Sequence, residues 1–261
     1  MKKSETPRSI SPSGEVFALP GRREYSREFS RLRRLAASHR AAGREIVVVM
    51  GVGFVGAVMA AIVADARGRG GKPSKFVIGM QRPSVRSFWK IPLLNRGEAP
   101  VEAEDPEVAR IIRRCVIEKK TLVATYVYDV LSLADVVVVD VQCDYAKHAL
   151  GDVRKGWADI GALEESLEIM ARHIRPDALV LIETTVPPGT TEQVAYPIMR
   201  KEFRRRGIAS DPLLAHSYER VMPGREYVAS IRDFWRVCSG VNAEARERVV
   251  KFLNGVLNTR K

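Results

Sequence analysis

The sequence predicts an α/β fold: a parallel, doubly wound sheet with helices on both faces. Three observations support this fold class. Short apolar runs alternate along the chain with segments of helical spacing, which is the order of strands and helices in parallel sheets. Runs such as Val136–Val139 are continuously β-branched, as strands covered on both faces usually are. A glycine-rich turn, Gly51 to Gly56, connects one of these runs to a helical segment.

The predicted strands occupy residues 46–50, 75–80, 121–126, 136–141, 178–184, 213–216 and 235–239. The predicted helices occupy residues 54–66, 106–118, 159–173, 190–206 and 243–257. Residues 82–105 contain three prolines and a glycine, so we expect a long irregular loop there, and loops of this length are usually functional.

The chain is predicted to have two regions. Residues 1–44 form a basic leader, of which residues 1–20 are expected to be flexible because charges, serines and prolines dominate them. From Arg22 to about Ala42, apolar residues recur at helical spacing, so we expect an amphipathic helix that packs on the following domain. Residues 45–261 are expected to form one α/β domain.

Composition excludes several functional classes. The net charge is +12, and +7 of it lies in the leader, which lacks interleaved aromatic residues, so we expect no nucleic-acid partner. Residues 46–64 carry no charge, but their β-branched run, glycine turn and small residues indicate a strand followed by a buried helix, not a membrane span. The three cysteines suggest neither a disulfide framework nor a metal site, so we expect a cytoplasmic protein without a bound metal.

The glycine turn predicts a dinucleotide. Gly51, Gly53 and Gly56 form a GxGxxG pattern that follows a predicted strand and opens a predicted helix, the context that gives the motif its meaning. Gly51 permits the tight turn, Gly53 lets the backbone approach a pyrophosphate, and Gly56 permits close helix packing. The intervening Phe54 and Val55 begin the helix, whose free N–H groups attract phosphate. The fold class is therefore Rossmann-like.

Gln81 departs from the usual dinucleotide pattern. It ends the second predicted strand, where a carboxylate normally binds the adenosine ribose. A glutamine also bonds a ribose hydroxyl, but with Arg82 and Arg86 following it discriminates less strongly against a 2′-phosphate.

Three further segments resemble the UDP-glucose/GDP-mannose dehydrogenase family, especially its UDP-N-acetyl-mannosamine and UDP-N-acetylglucosamine 6-dehydrogenase branch. They are Ala134–Cys143, Glu183–Thr191 and Ser217–Gly224, in that order after the glycine turn. The resemblance implies that NAD, and not NADP, is the cofactor, and that the substrate is a nucleotide sugar. It also implies oxidation of the C6 alcohol to a carboxylate through a cysteine-bound thioester, with two NAD consumed.

The resemblance also implies roles for individual residues. Thr185 would lie beside the nicotinamide and the reacting carbon. Glu219 would line the sugar pocket with Arg220 and Val221, and its carboxylate would assist proton transfer when the thioester is hydrolysed. Thr185 and Glu219 are thus the expected catalytic residues.

Two more residues would belong to the cofactor site. Cys143, at the tip that follows Gln142, would touch the cofactor, and Arg86 would neutralise phosphate or steady the adenosine. Cys143 and Cys238 are nevertheless expected to be small buried residues, not nucleophiles.

The family's central helical domain, its C-terminal nucleotide-binding domain and the segment that carries its nucleophilic cysteine have no counterpart in the sequence. We therefore expect this chain alone to be inactive. A truncated polypeptide, a split gene whose complementing chain brings the other domains, and a decayed copy that only binds nucleotide all remain open. The alternatives in other classes are a hydroxyacid dehydrogenase of the 6-phosphogluconate type, a methyltransferase and a non-catalytic nucleotide-binding module.

Overall fold

A hairpin and a long helix precede the sheet in the computed structural model, which describes residues 7–147 and 156–258 apart from the side chain of Arg69. Strand β1 (Arg8–Ile10) pairs antiparallel with β2 (Val16–Ala18), and helix α1 follows. Residues 8–18, within the segment expected to be flexible, form this hairpin, and Ser9 is fully buried in it; residues 1–6 lie outside the described residues. The amphipathic helix is confirmed, because Leu32 and Ala36 are buried in the core. It spans Arg22–Ala41.

The central sheet has seven strands, and its order confirms the Rossmann-like fold. In chain order the strands after the hairpin are β3 (Glu45–Met50), β4 (Lys75–Met80), β5 (Leu122–Thr125), β6 (Val136–Val139), β7 (Asp144–Lys147), β8 (Gly156–Asp159), β9 (Leu179–Ile182), β10 (Leu213–His216) and β11 (Ser239–Gly240). The sheet order is β11-β10-β9-β6-β3-β4-β5, while β7 and β8 pair separately. All neighbours in the sheet are parallel except β10 and β11. The six parallel strands therefore have the order of two βαβαβ halves, with the switch point between β3 and β6.

Helices cover both faces of the sheet. They are α2 (Phe54–Asp65), α3 (Lys90–Asn95), α4 (Pro106–Arg113), α5 (Gly161–His173), α6 (Tyr196–Arg205), α7 (Tyr227–Asp233) and α8 (Ala243–Asn254). Helix α4 continues in a π-helical turn over Arg114–Glu118, and a similar turn over Thr190–Ala195 leads into α6. Residues from α2, α3, α4, α7 and α8 fill one apolar layer, and residues from α1, α5 and α6 fill the other.

Three element predictions need correction. Residues 82–105 are not wholly irregular, because α3 lies within them. The strand expected over 235–239 is reduced to Ser239–Gly240, the two residues that pair with β10. Helix α7 was not expected at all, because its seven residues carry too short a pattern to stand out.

The uncharged stretch 46–64 forms β3, the glycine turn and most of α2, as the sequence indicated. Val47, Val49 and Ala60 within it are fully buried in the protein core. In the described ranges, no helix is both long and apolar enough to cross a bilayer.

Candidate functional site

The glycine turn lies where β3, α2 and β6 meet at the carboxyl edge of the sheet. Gly51 has φ of +100°, and a Cβ there would lie 2.5 Å from the carbonyl oxygen of Asp140. A Cβ on Gly56 would lie 1.8 Å from the carbonyl oxygen of Gly51. Both positions therefore require glycine for packing within the protein itself.

Gly53 differs from its two neighbours in the motif. A Cβ added there meets nothing within 4 Å, and its backbone is extended, with φ of −84° and ψ of −156°. It is also the N-cap of α2, where no side chain caps the helix and no acidic residue occupies the first turn. Unsatisfied N–H groups and the positive helix dipole thus face open space, an arrangement that binds phosphate groups.

Two cavities flank this turn. The first, of about 260 Å³, lies toward β4 and is bounded by Gln81, Arg82, Lys90 and Tyr128. The second, of about 390 Å³, lies toward β9 and is bounded by Phe54, Cys143, Thr185 and Glu219. Gly53, Asp140, Val141 and Gln142 line both cavities. The pair forms one trough across the switch point, where open α/β sheets bind their ligands.

Most of the residues singled out from the sequence line this trough. Gln81 lies in the first cavity, where its Oε1 accepts a hydrogen bond of 3.0 Å from the N–H of Val52. Thr185 is exposed in the second cavity, and Glu219, whose N–H donates to the carbonyl of Glu183, lines it as well. The expected grouping of Cys143, Thr185 and Glu219 beside the glycine turn is thus found.

Three other predicted site residues do not line the trough. Arg86 is exposed on the turn before α3, and Arg82 and Lys90 line the first cavity in its place. Arg220 lies 5.9 Å above the ring of Phe234, and Val221 packs against the apolar core. Their roles in binding stay predictions.

A buried carboxyl pair forms the floor of the trough. Asp140 and Glu183 directly follow Val139 and Ile182, which are partners in the ladder between β6 and β9. The two side chains therefore lie next to each other at the carboxyl edge. Glu183 is fully buried, and neither Asp140 Oδ2 nor Glu183 Oε2 has a hydrogen-bond partner among the described residues.

One arginine neutralises this pair from the loop before β11. Arg236 Nη1 lies 2.7 Å from Glu183 Oε1, and the two side chains are 2% and 0% exposed. The same nitrogen donates to the carbonyl of Tyr218 at 2.9 Å. Among the described residues, one buried cation thus faces two carboxyl groups.

The shared environment raises the pKa of both acids. Burial, and next the nearby Glu183, hold the pKa of Asp140 well above its usual 3.8. Burial also raises the pKa of Glu183, although Arg236 opposes that rise. A proton on Asp140 leaves one carboxylate for one arginine, and it gives the two unpartnered oxygens a hydrogen bond to each other.

Tyr227 of α7 connects its helix to the start of α2 through a hydrogen bond and a ring contact. Its hydroxyl donates to the carbonyl of Phe54, the first residue of α2, and the two rings stack with centroids 4.7 Å apart. Burial raises the pKa of Tyr227, with smaller contributions from Glu219 and Asp140, so the hydroxyl remains a donor.

A larger cavity lies away from the carboxyl edge of the sheet. That cavity, of about 570 Å³, lies between the C-terminal end of α2 and the end of α8, and Asp65 and Arg232 line it. It lies away from the carboxyl edge, where open α/β sheets bind their ligands, and beside the negative end of the α2 dipole. The trough is therefore the better candidate for a nucleotide.

Comparison with known proteins agrees with this geometry. Residues 45–254 match the model of the NAD-binding domain of the UDP-glucose/GDP-mannose dehydrogenase family. The chain belongs to this family. The matched range holds the glycine turn, both cavities and the buried carboxyl pair, and NAD is the cofactor of the matched domain.

Individual relatives have similar sequences and structures. UDP-N-acetyl-D-mannosamine dehydrogenase of Pyrococcus horikoshii is 29% identical over 214 residues, which are 82% of this chain and 45% of the relative. The enzyme of that name from Escherichia coli K12 is 27% identical over 218 residues, 80% of this chain and 46% of the relative. NDP-N-acetyl-D-galactosaminuronic acid dehydrogenase from Methanosarcina mazei Go1 superposes with a TM-score of 0.72 at 30% identity, over 84% of this chain and 44% of that one. The chain spans somewhat less than half the length of these relatives.

We expect Asp140→Asn to change how stability depends on pH. The unfolded chain releases the Asp140 proton near its usual pKa of 3.8, whereas the folded protein retains it to higher pH. As the pH rises between those two values, the free energy of unfolding falls, by at most about 1.4 kcal/mol per pH unit for one proton. Asparagine donates to Glu183 without titrating, so the variant gains stability relative to the wild type as the pH increases.

Urea unfolding at a series of pH values between about 4 and 8 measures the effect. Asp233→Asn, which removes an exposed carboxyl group, is the matched control and should follow the wild-type profile. Parallel profiles for Asp140→Asn and the wild type would contradict the retained proton.

Proposed function

We propose that this chain is the NAD-binding part of a dehydrogenase that oxidises the C6 alcohol of a UDP-sugar, with UDP-N-acetyl-mannosamine or a similar sugar as substrate. The observation that carries the proposal is the continuous trough across the switch point, with an uncapped helix at its centre and the motif residues Thr185 and Glu219 at one end. The mannosamine dehydrogenases among its relatives favour this substrate class.

The residues of the trough fit a dinucleotide. The open space at Gly53 and the free N–H groups of α2 suit the pyrophosphate. Gln81 uses its Oε1 to fix the glycine turn, and its amide keeps two N–H donors for a ribose hydroxyl. We assign the adenosine to the first cavity, beside Gln81, and the nicotinamide to the second, beside Cys143 and Thr185.

NAD supplies the acceptor for the hydride that leaves C6 of the sugar. Around it, the Thr185 hydroxyl would hold a water or polarise the sugar oxygen, and the Glu219 carboxylate would assist proton transfer when the thioester is hydrolysed. The neutral hydrogen-bonded floor beneath them, formed by Asp140, Glu183 and Arg236, keeps a second negative charge away from Glu219. Each residue therefore has a function in binding, proton transfer or support.

We infer that the nucleophile of the family's thioester route does not come from the cysteines of this chain. Burial raises the pKa of all three thiols, to about 12 for Cys115, whereas a nucleophilic cysteine needs a lowered pKa. We propose that a complementing chain or further segment provides it, together with the remaining substrate contacts. A polypeptide that only binds nucleotide is the second candidate, and the same unactivated thiols favour it.

The three unpaired cysteines also fit a cytoplasmic location, which we propose for the protein.

Gly53→Ala should abolish the tight approach of the cofactor without disturbing the fold. The added methyl meets no protein atom within 4 Å but projects into the space assigned to the pyrophosphate. We expect the dissociation constant of NADH to rise at least about tenfold, as measured by titration of nicotinamide fluorescence. Gly255→Ala, at the far end of the molecule, is the control and should bind NADH as the wild type does.

NAD should protect Cys143 from alkylation. The Cys143 thiol lines the second cavity, while Cys238 lies outside both cavities and packs against the core. Iodoacetamide labelling followed by peptide mass spectrometry should show slower modification of Cys143 when NAD is present, and unchanged modification of Cys238. Equal labelling of Cys143 with and without NAD would place the nicotinamide elsewhere.

The chain by itself should not reduce NAD in the presence of any UDP-sugar, because the nucleophile and the remaining substrate contacts are proposed to come from another chain or segment. Absorbance of NADH after mixing chain, NAD and UDP-N-acetyl-mannosamine measures this directly. Sustained turnover by the isolated chain would show that its own residues complete the reaction, and would overturn the need for a second component.

A further inference from the structure

The N-terminal segment of the chain contacts the wall of the first cavity from outside. Residues 7–28, which we term the brace, comprise the β1–β2 hairpin and the first turns of α1, and they precede the range 45–254 that matches the family. Their contacts fall on the segment after β4 and on the turn after β5. Both of these contribute residues to the cavity.

The first contact fixes the turn that leads into α3. Ser9, fully buried, accepts a hydrogen bond from the backbone N–H of Trp89 at 3.2 Å. The next residue is Lys90, which lines the cavity. Because an N–H that loses its acceptor is costly, Ser9 contributes to holding this turn in place.

The second contact fixes the turn after β5. The hydroxyl oxygen of Tyr25 accepts a hydrogen bond of 2.9 Å from the backbone N–H of Tyr128, another residue of the cavity wall. The ring of Tyr25 meets that of Tyr126 edge to face at 6.1 Å, and Tyr126 meets Phe88 in the same way at 5.6 Å. The aromatic contacts thus connect the two turns to each other and to the brace.

A third contact joins the turn between β1 and β2 to the end of α3. Glu15 forms two hydrogen bonds of 3.0 Å with the guanidinium of Arg96, just beyond α3. That guanidinium also lies 6.0 Å above the ring of Phe17 in β2. This exposed pair adds little stability alone, but with Ser9 it attaches the hairpin at both ends of α3.

Lys90 is the residue on which these contacts converge. It is half-buried, it lies over the ring of its neighbour Trp89 at 5.7 Å, and burial lowers its pKa. A cation held in a partly desolvated wall favours an anionic ligand there, since less water must be displaced from it. Its position therefore affects how well the cavity binds the phosphate-bearing half of a dinucleotide.

We propose that the brace positions the adenosine end of the cofactor site, with Ser9 and Tyr25 as positioning residues that set the affinity for the ADP moiety. This inference rests on the proposed NAD site. It assigns a binding function to a segment that lies outside the family match, and it makes no claim on the nicotinamide end.

The test compares Ser9→Ala, Tyr25→Phe and the double variant with the wild type. Isothermal titration with ADP-ribose and with nicotinamide mononucleotide, well below the melting temperature, separates the two halves of the site. We expect each single variant to weaken ADP-ribose binding about fivefold and the double variant more, while the affinity for nicotinamide mononucleotide stays the same. Ser26→Ala, whose hydroxyl bonds only within α1 to Arg22, is the control.

Amide hydrogen exchange in the ligand-free proteins gives a second measurement. Exchange at Trp89 should accelerate in Ser9→Ala, and exchange at Tyr128 in Tyr25→Phe. If the variants bind ADP-ribose as tightly as the wild type, the proposed role of the brace is wrong, whereas the proposed cofactor site is not contradicted. If the wild type binds neither ADP-ribose nor NADH, the proposed function fails, and unchanged exchange at the two amides would overturn the brace contacts as well.

Discussion

The close packing of the glycine turn against β6 is the constraint on which the rest of the structure depends. A Cβ on Gly56 would lie 1.8 Å from the carbonyl oxygen of Gly51, and a Cβ on Gly51 would lie 2.5 Å from the carbonyl oxygen of Asp140. No other residue type permits β3, α2 and β6 to meet there. Because they meet, Asp140 lines both cavities, and the helix N-terminus lies at the centre of the trough.

The sequence predicted the parts of the fold whose pattern is long and regular. Continuous β-branched runs such as Val136–Val139 identify strands buried on both faces, and the spacing of Leu32 and Ala36 identifies α1. The β1–β2 hairpin was not predicted, because each strand has three residues and shows no alternation of apolar and polar side chains. The hairpin is stabilised by contacts with distant residues, such as that of Ser9 with Trp89. A local sequence pattern does not indicate contacts of this kind.

The candidate site was predictable to a similar degree. The glycines, Thr185 and Glu219 stand in motifs, and the carboxyl ends of parallel strands bring such residues together. Asp140 and Glu183 carried a usable signal, because each is a charged residue directly after an apolar strand. Arg236 carried none. It reaches Glu183 across 53 residues of chain, and the apolar neighbours that made its segment resemble a strand, Trp235 and Val237, are in fact 64% and 67% exposed.

The floor of the trough has a consequence for how this protein varies among its relatives. Arg236 and Glu183 balance one another beside Asp140, with side chains that are 2% and 0% exposed. Loss of Glu183 or of Arg236 alone leaves an uncompensated charge, at a cost of about 3–5 kcal/mol, whereas replacing the whole buried ion pair by apolar residues is often neutral. Glu183 and Arg236 are therefore expected to co-vary: an aligned homologue should carry both charged groups or neither, and a chimaera that joins segments from two homologues should keep the pair from one parent.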